Sequence, residues 1–156
     1  MADSLMRDFR HHASDRWSRA IIRAIDAQED PRTLRLWADV AGTSVGALRT
    51  WCRAARVSSR QSLYFARMLR ALVRLRGKLW DPLNVLDIVD DRTLAAFLRR
   101  CGLHGQSAPT LDLFLRTQTL VLDDSNKLAI VDQLRRRNID VGGVAPGDMN
   151  SERITS

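Results

Sequence analysis

Between residues 14 and 103 apolar side chains return every three or four positions, and the runs are cut by glycines and Asp-Pro pairs. That period puts the apolar residues on one stripe of a helix, and nothing in the stretch alternates convincingly as a half-buried strand would. The pattern predicts six helices. In the first, residues 14 to 28, the stripe is Trp17, Ala20, Ile21, Ala24 and Ile25, with Ser14 or Asp15 as the cap or a start a few residues earlier. "EDPRTLRLWADVAG" predicts a second, opened by Asp30 and Pro31, buried through Leu34, Trp37, Ala38 and Ala41, and stopped by Gly42. Ser44 caps a third helix reaching about Ala55. "SRQSLYFARMLRALVRLRG" predicts a longer fourth, with Met68 in the core and a stop at Gly77. Asp81 and Pro82 open a fifth. Asp90 or Asp91 caps a sixth, whose stripe is Leu94, Phe97, Leu98 and Cys101 before Gly102.

The expected organisation is an N-terminal arm (1–13), an all-α domain (14–104), a linker (105–110), a small C-terminal appendage (111–141) and a disordered tail (142–156). The appendage predicts a helix with Leu128, Val131 and Leu134 on one side, and a possible strand before it. "LVLDDSNKLAIVDQLRRRNIDV" looks like the opening of a receiver domain, but 32 residues after Asp124 cannot house the rest of one. The segment reads as chance similarity or a remnant, with Asp123 and Asp124 as helix-capping acids.

Charge is distributed unevenly. Residues 1–104 hold 19 Lys/Arg against 11 Asp/Glu, a net of +8, and residues 105–156 hold 6 against 7, a net of −1. No acid lies between Asp39 and Asp81, where Arg49, Arg53, Arg56, Arg60, Arg67, Arg70, Arg74, Arg76 and Lys78 all fall. A long stretch of one sign is the footprint expected for a polyanion partner. Cys52 and Cys101 have no CxxC partner and sit in helical patterns, so they read as buried thiols. The histidines do not join them at metal-ligand spacing.

A helix that reads DNA needs an apolar back, a small or polar front near its N-terminus, and a bracing helix joined to it by a tight turn. Residues 34–55 meet each demand. Leu48, Trp51 and Cys52 make the back. Ser44, Val45, Gly46, Ala47, Arg49, Thr50 and Arg53 lie toward the front, and the small residues permit close approach. Arg49 is suited to a guanine edge, worth about 1–3 kcal/mol of discrimination. Arg53 and Arg56 suit phosphates, which position without specifying. A weaker copy of the pattern at 81–100 offers Arg92, Thr93, Ala96 and Arg99.

"RAIIRAIDAQEDPRTLRLWADVAGTSVGALRTWCRAARVSSRQSLYFARMLRAL" resembles the DNA-binding region of AraC-type (AraC/XylS) transcriptional regulators. The resemblance covers roughly residues 17 to 103. Ala38, Ser44 and Leu48 stand where that family's first unit has its alanine, cap serine and core leucine, and Cys52 replaces the usual phenylalanine. "FARMLRA" resembles the start of its connecting helix. The resemblance implies an AraC-like double helix-turn-helix domain of about six to seven helices that regulates transcription. The second unit is compressed and lacks the family's glycine-phenylalanine turn and serine-aromatic pair. An effector domain is not expected, so small-molecule sensing is not carried over.

The expected partner is double-stranded DNA, with RNA polymerase and a homodimer contact through 111–138 as further candidates, the same segment being equally suited to packing back on the domain. No cofactor, metal or membrane contact is expected, and the expected location is the cytoplasm, on the nucleoid. No nucleophile stands with a base at motif spacing and no phosphate loop is present, so an enzyme is not expected. The rival reading is a protein–protein adaptor or co-regulator on the same fold, its basic face meeting an acidic partner.

Overall fold

The structure is a computed structural model that describes residues 2–103 and 109–142. Its described residues form eight helices and no strand: α1 (Ala2–Asp26), α2 (Leu34–Val40), α3 (Val45–Ala54), α4 (Ser59–Arg74), α5 (Pro82–Val85), α6 (Asp91–Arg100), α7 (Leu111–Thr117) and α8 (Asp124–Arg136). The six helices expected before residue 104 are present, and the described residues are all-α. The expected linker lies mostly, and the expected disordered tail almost wholly, outside the described residues.

Local chemistry explains most of the boundaries. Ser44, Ser58, Asp90, Thr110 and Asp123 each accept a backbone N–H three residues on, as N-caps do. α2 ends as the sequence requires. Thr43 N–H donates to the Ala38 carbonyl and Gly42 N–H to that of Asp39, with Gly42 at a φ of +71°. α3 closes by the same double bond pattern, but there Arg56 takes the left-handed position at a φ of +63°, where glycine is the unstrained choice.

Three expectations are corrected. α1 does not start at Ser14. It is one helix of 25 residues that takes in the expected arm, and Ser14 lies buried in its middle. Asp30 does not cap α2, since Thr33 does, and Asp30 turns inward. The possible strand before α8 is a turn, with Asp123 capping the helix that follows.

α1 and α4 form the spine. Trp17, Ile21 and Ala24 of α1 meet Phe65, Met68 and Leu69 of α4, all nearly without solvent exposure. Trp17 stacks on Phe65 with ring centroids 5.8 Å apart, and Phe65 stacks on Phe114 of α7 at 5.6 Å. The two buried indole N–H groups of this core are matched. Trp17 Nε1 donates to Ser62 Oγ at 3.0 Å, and Trp37 Nε1 to the Ala20 carbonyl at 2.8 Å. Trp51 and Trp80 are only half-buried.

The C-terminal helices are built into this core. α8 runs parallel to α1, with Asn126 beside Ser14 and Arg137 beside Asp26. Buried Asn126 accepts from Ser14 Oγ at 2.7 Å and donates to the carbonyls of Ala55 and Val121. It thereby ties α8 to α1 and to the end of α3. Phe114, Leu115, Ile130, Val131 and Leu134 face inward, so part of the segment 111–138 packs back on the domain. Leu113, Leu120 and Leu128 stay exposed.

Cys52 and Cys101 are buried, unpaired thiols. Burial raises both, and pushes Cys101 up to about 12. The thiolate is the reactive form. Neither thiol is therefore expected to react with an aromatic disulfide reagent at pH 8 until the protein is denatured, when two should titrate. Rapid labelling of the folded protein would overturn the core placement of that residue. The stability tied to Cys101 is fully present below the ordinary thiol value of 9.0 and is lost as pH rises toward 12.

Candidate nucleic-acid interface

α3 is held from behind. Leu48 and Cys52 are buried against α1 and α4, and Trp51 is half-buried under the Arg16 guanidinium, 5.8 Å from its ring. This leaves Gly46, Arg49, Thr50 and Arg53 exposed, spaced three, one and three residues apart, so they share one outward stripe. Val45 and Ala47 are half-buried beside it. Ser44 is exposed, but its hydroxyl is occupied in accepting from Ala47 N–H at 3.1 Å. Thr50 Oγ1 donates back to the Gly46 carbonyl at 3.0 Å, leaving its lone pairs outward.

Gly46 is not required by the fold. It has no positive φ, and an added Cβ would meet only Ser44 Oγ, at 3.9 Å. A glycine inside a helix costs up to about 1 kcal/mol against alanine. The missing side chain leaves the front of α3 open to close approach.

Beside the stripe, Arg49, Arg53 and Arg56 line an open groove with Val57, Ser58 and Ser59 at the start of α4. The first turns of α3 and α4 carry no acid, so nothing offsets the positive ends of the two helices. Among the described residues neither Arg49, Arg53 nor Arg60 has a carboxylate within ion-pair distance. Arg56 does: it pairs with Asp123, the cap of α8. The serine pair of "RVSSR" belongs to this groove and was not among the expected site residues. Its signal was present, as a serine-capped helix start with no acid in the first turn.

Further along the acid-free stretch Arg67 and Arg70 are buried, whereas Arg74, Arg76 and Lys78 are exposed. Arg67 is buried against Asp30, with Nε to Oδ2 at 2.9 Å, and donates to the Leu86 carbonyl. Buried Arg70 donates to the carbonyls of Ala27, Gln28 and Val85. Arg74 reaches Ile25 and Ala27. Arg70 and Arg74 clamp the carbonyls at the end of α1 while Arg67 is spent on Asp30 and Leu86, so the polyanion footprint expected of the acid-free stretch is interrupted at these three.

The second set is less favourable. Arg92 and Arg99 are exposed on the outer side of α6, with Ala96 half-buried between them. Thr93 Oγ1 donates to Asp90 at 3.0 Å. Hydrogen bonds from the Thr93 N–H and hydroxyl hold the Asp90 carboxyl below its usual range, so a charged acid stands at the end of the helix that would enter a groove, with Asp91 beside it. The bracing element, α5, is a single turn of 4 residues.

No protein family, curated protein or solved structure matches this chain. The geometry of α3 and its groove therefore carries any functional reading. Among the described residues no three His, Cys, Asp or Glu gather as a metal site, and no helix is long and apolar enough to cross a membrane.

Proposed function

We propose that the chain is a sequence-specific DNA-binding protein that lays α3 in the major groove, with α2 as the bracing helix. The observation that carries this reading is the outward stripe of α3: a glycine the fold does not need, then two arginines and a threonine with no acid among them. Arg49 reads a base edge. Arg53, Arg60 and the α4 N-terminus hold the backbone, with Arg56 joining them once it leaves Asp123. Transcriptional regulation of the AraC type, and contact with RNA polymerase, are part of the proposal. Its first unit is supported by Ser44, Leu48 and the turn at Gly42. The one-turn α5 and the acids of α6 favour reading by α3 alone in each chain.

Selection from random DNA fragments tests this directly. Enrichment of a short motif is expected, with affinity falling steeply in salt. Three phosphate contacts per chain give a slope of about −2.7 in log K against log salt. Arg49→Ala should relax preference at one position of the motif. Gly46→Ala should raise the melting temperature slightly, by up to about 1 kcal/mol of stability, yet weaken DNA binding. An unchanged motif with Arg49→Ala would place the reading helix elsewhere. Failure to retain any DNA at low salt would favour the adaptor.

A further inference from the structure

The first turns of α1 project from the fold. Because α8 runs parallel to α1 and Asn126 lies beside Ser14, α8 begins near the level of residue 12. The ten residues before that, about 15 Å of helix at 1.5 Å per residue, are exposed throughout. Yet they are not polar all round. Leu5 is 71%, Met6 55% and Phe9 61% exposed. Ala2, Met6, Phe9 and Ala13 are spaced four, three and four residues apart, which is the seam of a coiled coil.

We propose that these turns of α1 pair antiparallel with the same turns of a second copy of the chain. The seam is self-complementary about a point between Arg7 and Asp8. Met6 then faces the partner's Phe9, and Ala2 the partner's Ala13. Asp3 falls opposite the partner's Arg10, and by symmetry this pair occurs twice. Leu5 packs beside the partner's His12. A parallel pairing puts no opposite charges together. The charge on the helix also selects the partner. Residues 2–16 carry Asp3, Asp8 and Asp15 against Arg7, Arg10 and Arg16. That balance suits another mixed-charge helix and not an anionic membrane or nucleic acid, which would call for a basic face. The pairing is independent of whether α3 reads DNA.

Sedimentation of the full chain tests it. The wild type should move from one chain of 17.7 kDa toward two as its concentration rises to about 100 µM, as a small interface allows. Phe9→Asp should weaken association at least about tenfold, because the phenylalanine is buried twice per dimer. Its melting should be unchanged at concentrations where both are single chains. Asp3→Arg and Arg10→Asp should each weaken self-association, and mixing the two should restore a heterodimer. A wild type that stays a single chain throughout overturns the proposal. So does association that Phe9→Asp leaves intact, or a mixture that restores nothing. Binding to anionic vesicles without self-association would assign the stripe to a lipid surface instead.

Discussion

Leu48→Asp is expected to abolish cooperative folding, while Arg49→Ala, one residue on, melts like the wild type. Leu48 has no solvent exposure and sits where α3 meets α1 and α4. Removing a leucine from such a site costs about 2–5 kcal/mol in lost transfer and cavity energy. The aspartate then stands within the hydrophobic core cluster. It must be buried charged or protonated at further cost, of order several kcal/mol. Together these match or exceed the stability of an ordinary domain, about 5–15 kcal/mol. Arg49 is exposed, so its loss should stay within about 0.5 kcal/mol. Thermal melts followed by far-ultraviolet circular dichroism check both. A normal melt for Leu48→Asp would mean that α3 is rotated from the position described, and the outward stripe with it.

That contrast depends on a face assignment the sequence already carried. Caps and stops are local events. Ser44, Gly42, Asp90 and Asp123 act on groups within four residues, so their roles could be read from neighbours. The apolar stripes of α3 and α4 were legible for the same reason. What could not be read is what partners at long range decide. Asp30 before Pro31 has the form of a helix cap, but Arg67 lies 37 residues away and takes it inward. Asn126 is an ordinary polar residue in the sequence. Only the approach of α8 to α1 and α3 makes it a buried clasp. Residues 2–13 lack a clear apolar run, and their helix is an extension of one nucleated by the core behind it.

The same limit governs the charge pattern. An unbroken run of arginines predicts a basic surface only if the helix that carries them has its arginines outside. α4 lies in the middle of the fold, so Arg60 in its first turn faces solvent, Arg67 meets Asp30 and Leu86, and Arg70 and Arg74 reach the end of α1. The pattern remained informative for Arg49, Arg53 and Arg60. It misled for the buried Arg67 and Arg70, whose acceptors are mostly backbone carbonyls, invisible to any count of acids.

Asp30→Ala is therefore expected to destabilise the fold by about 3–5 kcal/mol, because it strands the buried Arg67 guanidinium without its carboxylate. Replacing both partners, Asp30→Leu with Arg67→Met, should lose far less or nothing. Burial pushes the Asp30 carboxyl up from its ordinary value, and the Arg67 hydrogen bond and charge only partly oppose this. One carboxylate oxygen, Oδ1, also has no hydrogen-bond partner among the described residues. The ion pair is thus compensation for burial more than a source of stability. The sign of its pH dependence follows. A carboxyl that holds its proton more tightly when folded contributes stability that is fully present below 3.8 and falls as pH rises through the folded value. The double variant should lack that fall. Urea denaturation of the three proteins at pH 4 and pH 7 supplies both readings. If Asp30→Ala cost less than about 1 kcal/mol, Arg67 would have a route to solvent. The acid-free stretch would then regain its reading as a surface, and the DNA-facing charge would extend from α3 along α4 rather than ending at its first turn.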